Sequence, residues 1–219
     1  MKKNIIYLIV MLFAVQLVSA QKQPFYDEIR EFKKQDSISF PPQNAILLVG
    51  SSSFRKWQDV QSYFPEYKIV NRGFGGSTLP DVIHYANKII TPYHPKQVLV
   101  YCGDNDLAAS DTVTPQIVTD RFKTLFNIIR KSLPQANITF ISIKPSPSRK
   151  QLMPKMKQAN SMIKSFLSKN KNTSFIDVYH PMLLASDAPI PDIFLEDSLH
   201  MNAKGYEIWK KAIQPHLLK

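Results

Sequence analysis

The stretch Ala45-Ile46-Leu47-Leu48-Val49-Gly50-Ser51-Ser52-Ser53 decides the reading of this chain. Five apolar residues run without a break and stop at a glycine and three serines. A short apolar run bounded by turn residues reads as a strand buried on both faces of a parallel sheet. In open α/β sheets, ligands bind just beyond the carboxyl ends of the strands, and that is where these serines fall. A serine hydroxyl is a weak nucleophile alone, and a serine-rich turn is also an ordinary helix cap. The stretch acquires chemistry only if other strand ends supply a base and an oxyanion site.

Outward from this run the chain alternates two patterns. Short apolar runs fall at 45–49, 67–70, 97–101, 137–143 and 173–178. Amphipathic helical patterns fall at 26–35, 79–90, 115–132, 150–170 and 203–217. Strands alternating with helices predict βαβ units and a parallel sheet of about five strands. Right-handed crossovers then put helices on both faces, a three-layer α/β/α sandwich of flavodoxin-like type. Thr114 before Pro115 reads as N-cap and first helical residue, and Asn202 as the cap of the last helix.

The ends and the composition set the setting. Lys2 and Lys3, an apolar segment over 5–18 and the small-x-small Val18-Ser19-Ala20 read as a secretory signal over residues 1–20, cleaved after Ala20. The apolar segment is short for a membrane span and no stop-transfer pattern follows it, so no stable span is expected after cleavage. The expected protein is secreted or periplasmic, with residues 21–219 forming one domain large enough for a sizeable core. Cys102 is the sole cysteine, which excludes an internal disulfide and a lipid-attachment cysteine behind the signal. The formal charge of +11 is spread along the chain without an arginine stripe or an aromatic RNA-binding motif, so nucleic acid is not an expected partner. A basic exported surface suits solubility or anionic glycans.

Three further loops at strand ends carry unusual residues. Asn71-Arg72-Gly73-Phe74-Gly75-Gly76-Ser77-Thr78 is glycine-rich but lacks the third glycine and the acidic partner of a dinucleotide loop. Its glycines suit a tight turn, or a backbone N–H aimed at a developing oxyanion. In Tyr101-Cys102-Gly103-Asp104-Asn105-Asp106 the acids lack the spacing of a calcium loop, while the Asn105 amide suits an oxyanion donor or a turn. In Asp197-Ser198-Leu199-His200 the carboxylate is spaced to orient the imidazole as a base. No such acidic partner is credited to His84, His94, His180 or His216. Together the loops supply a nucleophile, a base with its orienting acid, and oxyanion donors, the set required for acyl transfer.

These residues resemble the SGNH (GDSL-type) serine esterases and acylhydrolases, over most of the chain from about Ala45 to the final helix. Gly50-Ser51-Ser52 is similar to the family's first block, which implies Ser52 as nucleophile. Gly76 matches the second-block glycine, Asn105 the third-block asparagine, and Asp197 with His200 the last-block pair. The resemblance implies an oxyanion hole of the Ser52 N–H, the Gly76 N–H and the Asn105 amide. Ser51 stands where the family usually has aspartate, a G-S-S-S variant similar to the platelet-activating-factor acetylhydrolase-like branch. The expected activity is that of a carboxylic ester hydrolase acting on short acyl esters, acetyl above all, of a small molecule or glycan, with no metal or organic cofactor. A lysophospholipase or lipase, or a non-catalytic glycan-binding protein, is the alternative. Ser51, Lys144, Arg149 and Lys150 are candidate substrate contacts.

Overall fold

The computed structural model describes residues 23–219, so the expected signal over 1–20 lies outside the described residues. Five strands, β1 (Ile46–Gly50), β2 (Ile69–Gly73), β3 (Gln97–Tyr101), β4 (Asn137–Ile141) and β5 (Thr173–Ile176), pair entirely in parallel in the order β2-β1-β3-β4-β5. This is the doubly wound order whose switch point lies between β1 and β3.

Alternation along the central strands builds two cores. Leu47, Val49, Val98 and Val100 face one core, and Ile46, Leu48, Leu99 and Tyr101 face the other. The first core packs under α1 (Tyr26–Ile38), α4 (Leu79–Ile89), α6 (Pro115–Ser132) and α7 (Met153–Leu167). The second packs under the short helices α2 (Ser52–Arg55) and α3 (Val60–Tyr63) and under α8 (Ala203–Ile213). A further short helix, α5 (Asp104–Ala109), opens directly after β3. Thr114 caps α6 by accepting from the Ile117 N–H, and Asn202 caps α8 by accepting from Lys204 and Gly205, as expected. No helix among the described residues is long and apolar enough to cross a membrane.

The elements differ from the sequence reading where polar residues find partners. β2 runs three residues past Val70, through Asn71, Arg72 and Gly73. The Asn71 amide donates to the Phe54 carbonyl at 2.7 Å, and buried Arg72 pairs with Asp36 and donates to Tyr93 Oη at 2.8 Å. The pattern over 150–170 divides into the end of a 3₁₀ segment, Pro147–Leu152, itself kinked at Arg149, and α7, which opens with Pro154 in its first turn, where the missing N–H has no helical partner to lose.

At the end of β1 the chain turns against β3. Gly50 has φ 137°, and a Cβ there would lie 1.8 Å from the Tyr101 carbonyl oxygen. The Ser51 N–H donates to that oxygen at 3.1 Å. Below the turn, Phe54, Tyr101, Trp57, Tyr206 and Trp209 form one aromatic cluster, with Trp57 stacked on Tyr206 at 4.8 Å and Tyr101 edge-on to Trp209 at 4.8 Å. The Tyr206 hydroxyl donates to the Ser53 carbonyl at 2.8 Å, tying α8 to the turn. Trp209→Ala therefore removes the centre of this cluster, and an equilibrium denaturation series should read a loss of about 3–5 kcal/mol.

Candidate active site

Ser52 opens α2 immediately after the Gly50 turn, and its hydroxyl lies 2.9 Å from His200 Nε2, although 148 residues separate them in sequence. His200 Nδ1 lies 2.6 Å from Asp197 Oδ2. The carboxylate accepts from Nδ1–H, which leaves Nε2 as the acceptor for the serine proton. Asp197 Oδ1 accepts from the Leu199 and His200 N–H groups, both at 2.9 Å. Ser198 closes this turn at φ 54°. Desolvation pushes the Asp197 carboxyl up. The hydrogen bonds from the His200 ring and the two backbone N–H groups outweigh it and hold the acid below the usual carboxylate range.

Beside this relay the two other loops meet. An added Cβ at exposed Gly76 would find only Asn105 Nδ2 within 4 Å, at 3.9 Å, which sets the two residues side by side. Asn105 Nδ2 donates one hydrogen to the Ser77 carbonyl at 3.1 Å. The Ser77 hydroxyl in turn donates to the Gly50 carbonyl at 3.1 Å. The second Nδ2 hydrogen and the Ser52 and Gly76 N–H groups have no hydrogen-bond partner among the described residues.

The substrate contacts expected from sequence are placed differently. Arg149 turns into the protein: Nη2 donates to Asn105 Oδ1 at 2.9 Å, and buried Nη1 is charge-paired with Asp104 Oδ2 at 3.0 Å without forming a hydrogen bond. It fixes the orientation of the Asn105 amide. Lys144 is not a surface charge but is buried, 1% exposed, because its ammonium donates to the Leu199 carbonyl at 2.8 Å and lies over the Phe194 ring. Ser148 from the same loop donates twice to the Ser198 carbonyl, from N–H at 3.1 Å and from Oγ at 2.9 Å. Ser51 is fully buried and its hydroxyl has no hydrogen-bond partner, so it is closed to a ligand. Lys150 is exposed.

Asp104 and Asp106 are likewise committed, Asp104 to Arg149 and Asp106 to Arg121 at 2.7 Å and to the Leu79 N–H at 2.9 Å. One feature escaped the sequence reading. Asp177-Val178-Tyr179-His180 has the same spacing as the Asp197 loop, and His180 Nδ1 lies 2.6 Å from Asp177 Oδ2. The denial of an acidic partner to His180 is thus corrected. The spacing alone could have shown it.

A family model described as GDSL-like lipase/acylhydrolase matches residues 36–208. No curated protein sequence matches the chain. Among solved structures, a candidate acylhydrolase from Bacteroides fragilis superposes with TM-score 0.75 at 19% identity, covering 87% of this chain and 96% of its own. A GDSL-like lipase from Bacteroides thetaiotaomicron gives TM-score 0.74 at 16% identity, covering 86% and 96%. A variant of an acetyl-xylooligosaccharide esterase from Geobacillus gives 0.62 at 14% identity, covering 81% and 96%. All three share the fold.

Buried Lys144 gives the site a pH signature. Desolvation, offset in part by Asp104, lowers its ammonium to about 8. An unfolded lysine holds its proton to about 10.4. Between these values the unfolded state binds more protons, so stability gained from this group rises with pH. Denaturation midpoints at pH 7 to 10 should show wild type gaining up to about 3 kcal/mol relative to Lys144→Met. A gap that stays flat would mean that Lys144 titrates alike in both states.

Proposed function

Because this chain belongs to the GDSL-like lipase/acylhydrolase family, we propose that it is a serine esterase working through an acyl-enzyme on Ser52. The observation that carries this reading is the continuous relay from Ser52 Oγ through His200 to Asp197, at 2.9 and 2.6 Å. His200 Nε2 takes the serine proton as Oγ attacks the ester carbonyl, and returns it to the leaving alcohol. Asp197 holds the tautomer and stabilises the charged imidazole, and that contact, with the two backbone N–H groups, keeps the carboxylate ionised. The Ser52 and Gly76 N–H groups and the free Asn105 amide hydrogen hold the oxyanion. Water then attacks the acyl-serine with His200 again as base, which releases the acid and restores Ser52.

Hydrolysis of p-nitrophenyl acetate by purified variants tests this. Ser52→Ala is expected to abolish turnover, while Ser51→Ala and Ser53→Ala retain most of it. Asn105→Ala should cost roughly a hundred- to a thousand-fold in kcat. Arg149→Met should cost less, again in kcat rather than KM, since it acts by aiming Asn105. Full activity in Ser52→Ala would overturn the mechanism.

For substrate we propose an acetylated carbohydrate met outside the cytoplasm. The signal pattern over 1–20 supports export. Beyond it the sequence has no long apolar segment to cover a lipid chain, and a structural neighbour is an acetyl-xylooligosaccharide esterase. Acetylated xylooligosaccharides and other sugar acetates, run beside p-nitrophenyl esters of rising chain length, should show highest kcat/KM for acetyl groups on sugar. A preference for long acyl chains would replace this substrate with a lysophospholipid or lipid ester.

A further inference from the structure

A cavity of about 320 Å³ opens beyond the carboxyl ends of β4 and β5, between the edge strand and α7. It is walled by Lys157 and Lys164 from α7, by Phe175 from β5, and by Asp177, Tyr179 and His180 from the turn that follows. The turn copies the Asp197 loop: Asp177 Oδ1 accepts from the Tyr179 N–H at 2.9 Å and the His180 N–H at 3.2 Å, and Oδ2 meets the imidazole. It is not a second hydrolytic relay, because no hydroxyl partners His180 Nε2 among the described residues.

What the cavity offers is unspent donors. Lys157 and Lys164 are exposed and have no acidic partner among the described residues; each lies 5.8 Å from an aromatic centroid, Tyr179 and Phe175 respectively. Tyr179 is 2% exposed and its hydroxyl is buried, so it gives the cavity a ring face and no donor. Burial, with a contribution from Asp187, pushes that hydroxyl up to about 12, so it stays protonated. The one carboxylate in the wall, Asp177, is held by two N–H groups and an imidazole and offsets one lysine charge, so the two lysines leave the wall net positive. The natural partner for two ammonium groups without an acidic partner is an anionic oxygen.

We propose that this cavity binds a compact oxyanion, a carboxylate or phosphate group, against the faces of Phe175 and Tyr179. The site stands independently of the esterase reading, since it uses none of the residues of the Ser52 relay.

Amide NMR shifts at constant pH and ionic strength, on titration with sodium phosphate and with sodium glucuronate, test it. Saturable shifts confined to residues 157–164 and 175–180 are expected with at least one probe. Which probe responds assigns the group as phosphate or carboxylate. Lys157→Met/Lys164→Met should weaken that response about tenfold or more, and Tyr179→Phe, which keeps the ring face, should leave it unchanged. Thermal melting shows whether each variant folds, and if the double variant does not, the two single variants carry the comparison. Shifts that fail to saturate, or that persist unchanged in the folded lysine variants, would overturn the proposal. Loss of ester hydrolysis on its own would bear on the Ser52 mechanism and leave this site untouched.

Discussion

The site rests on a contact between two backbones. The Tyr101 carbonyl oxygen occupies the space where a side chain at position 50 would begin, 1.8 Å from an ideal Cβ. Only a glycine lets β1 end against β3 in this way, and the positive φ of Gly50 turns the chain over that carbonyl. The turn delivers Ser52 to the top of the sheet, and the Gly50 carbonyl accepts from the Phe74 N–H and the Ser77 hydroxyl. One close approach thereby sets the serine, the glycine loop and, through Ser77, the Asn105 amide. The aromatic cluster under α2 holds the arrangement from below.

The loop after β4 is the second organiser, although it supplies no atom to the proposed reaction. Lys144 and Ser148 hold the carbonyls of Leu199 and Ser198, and Arg149 holds Asn105. The base and the oxyanion donor are thus referenced to one short segment. Because Lys144 and Ser148 grip main-chain oxygens, the geometry of the Asp197 turn depends little on the side chain at 199, whereas the φ of 54° at Ser198 restricts that position.

The fold was legible because its signal is periodicity. The buried runs of β1 and β3 and the amphipathic stripe of α6 admit one packing, and the caps Thr114 and Asn202 mark their helices. The relay was legible because Asp197 and His200 are local to each other and Ser52 follows a strand. Charged residues at loops were misread for a physical reason. A sequence shows that Lys144 and Arg149 carry charge, but not that Leu199, Asp104 and Asn105, distant in the chain, neutralise or accept from them. Polar residues in β2 were misread likewise, since Asp36 and Tyr93 lie far along the chain from Arg72. The replacement of an aspartate by Ser51 buries a hydroxyl without a partner, and nothing in the structure explains it.

The 148-residue separation of Ser52 and His200 also sets a timetable. A growing chain presents Ser52 early, but its imidazole comes from the turn that α8 anchors near the far end. Any intermediate lacking that helix holds a bare hydroxyl. The relay therefore forms only once nearly the whole sheet has been laid down.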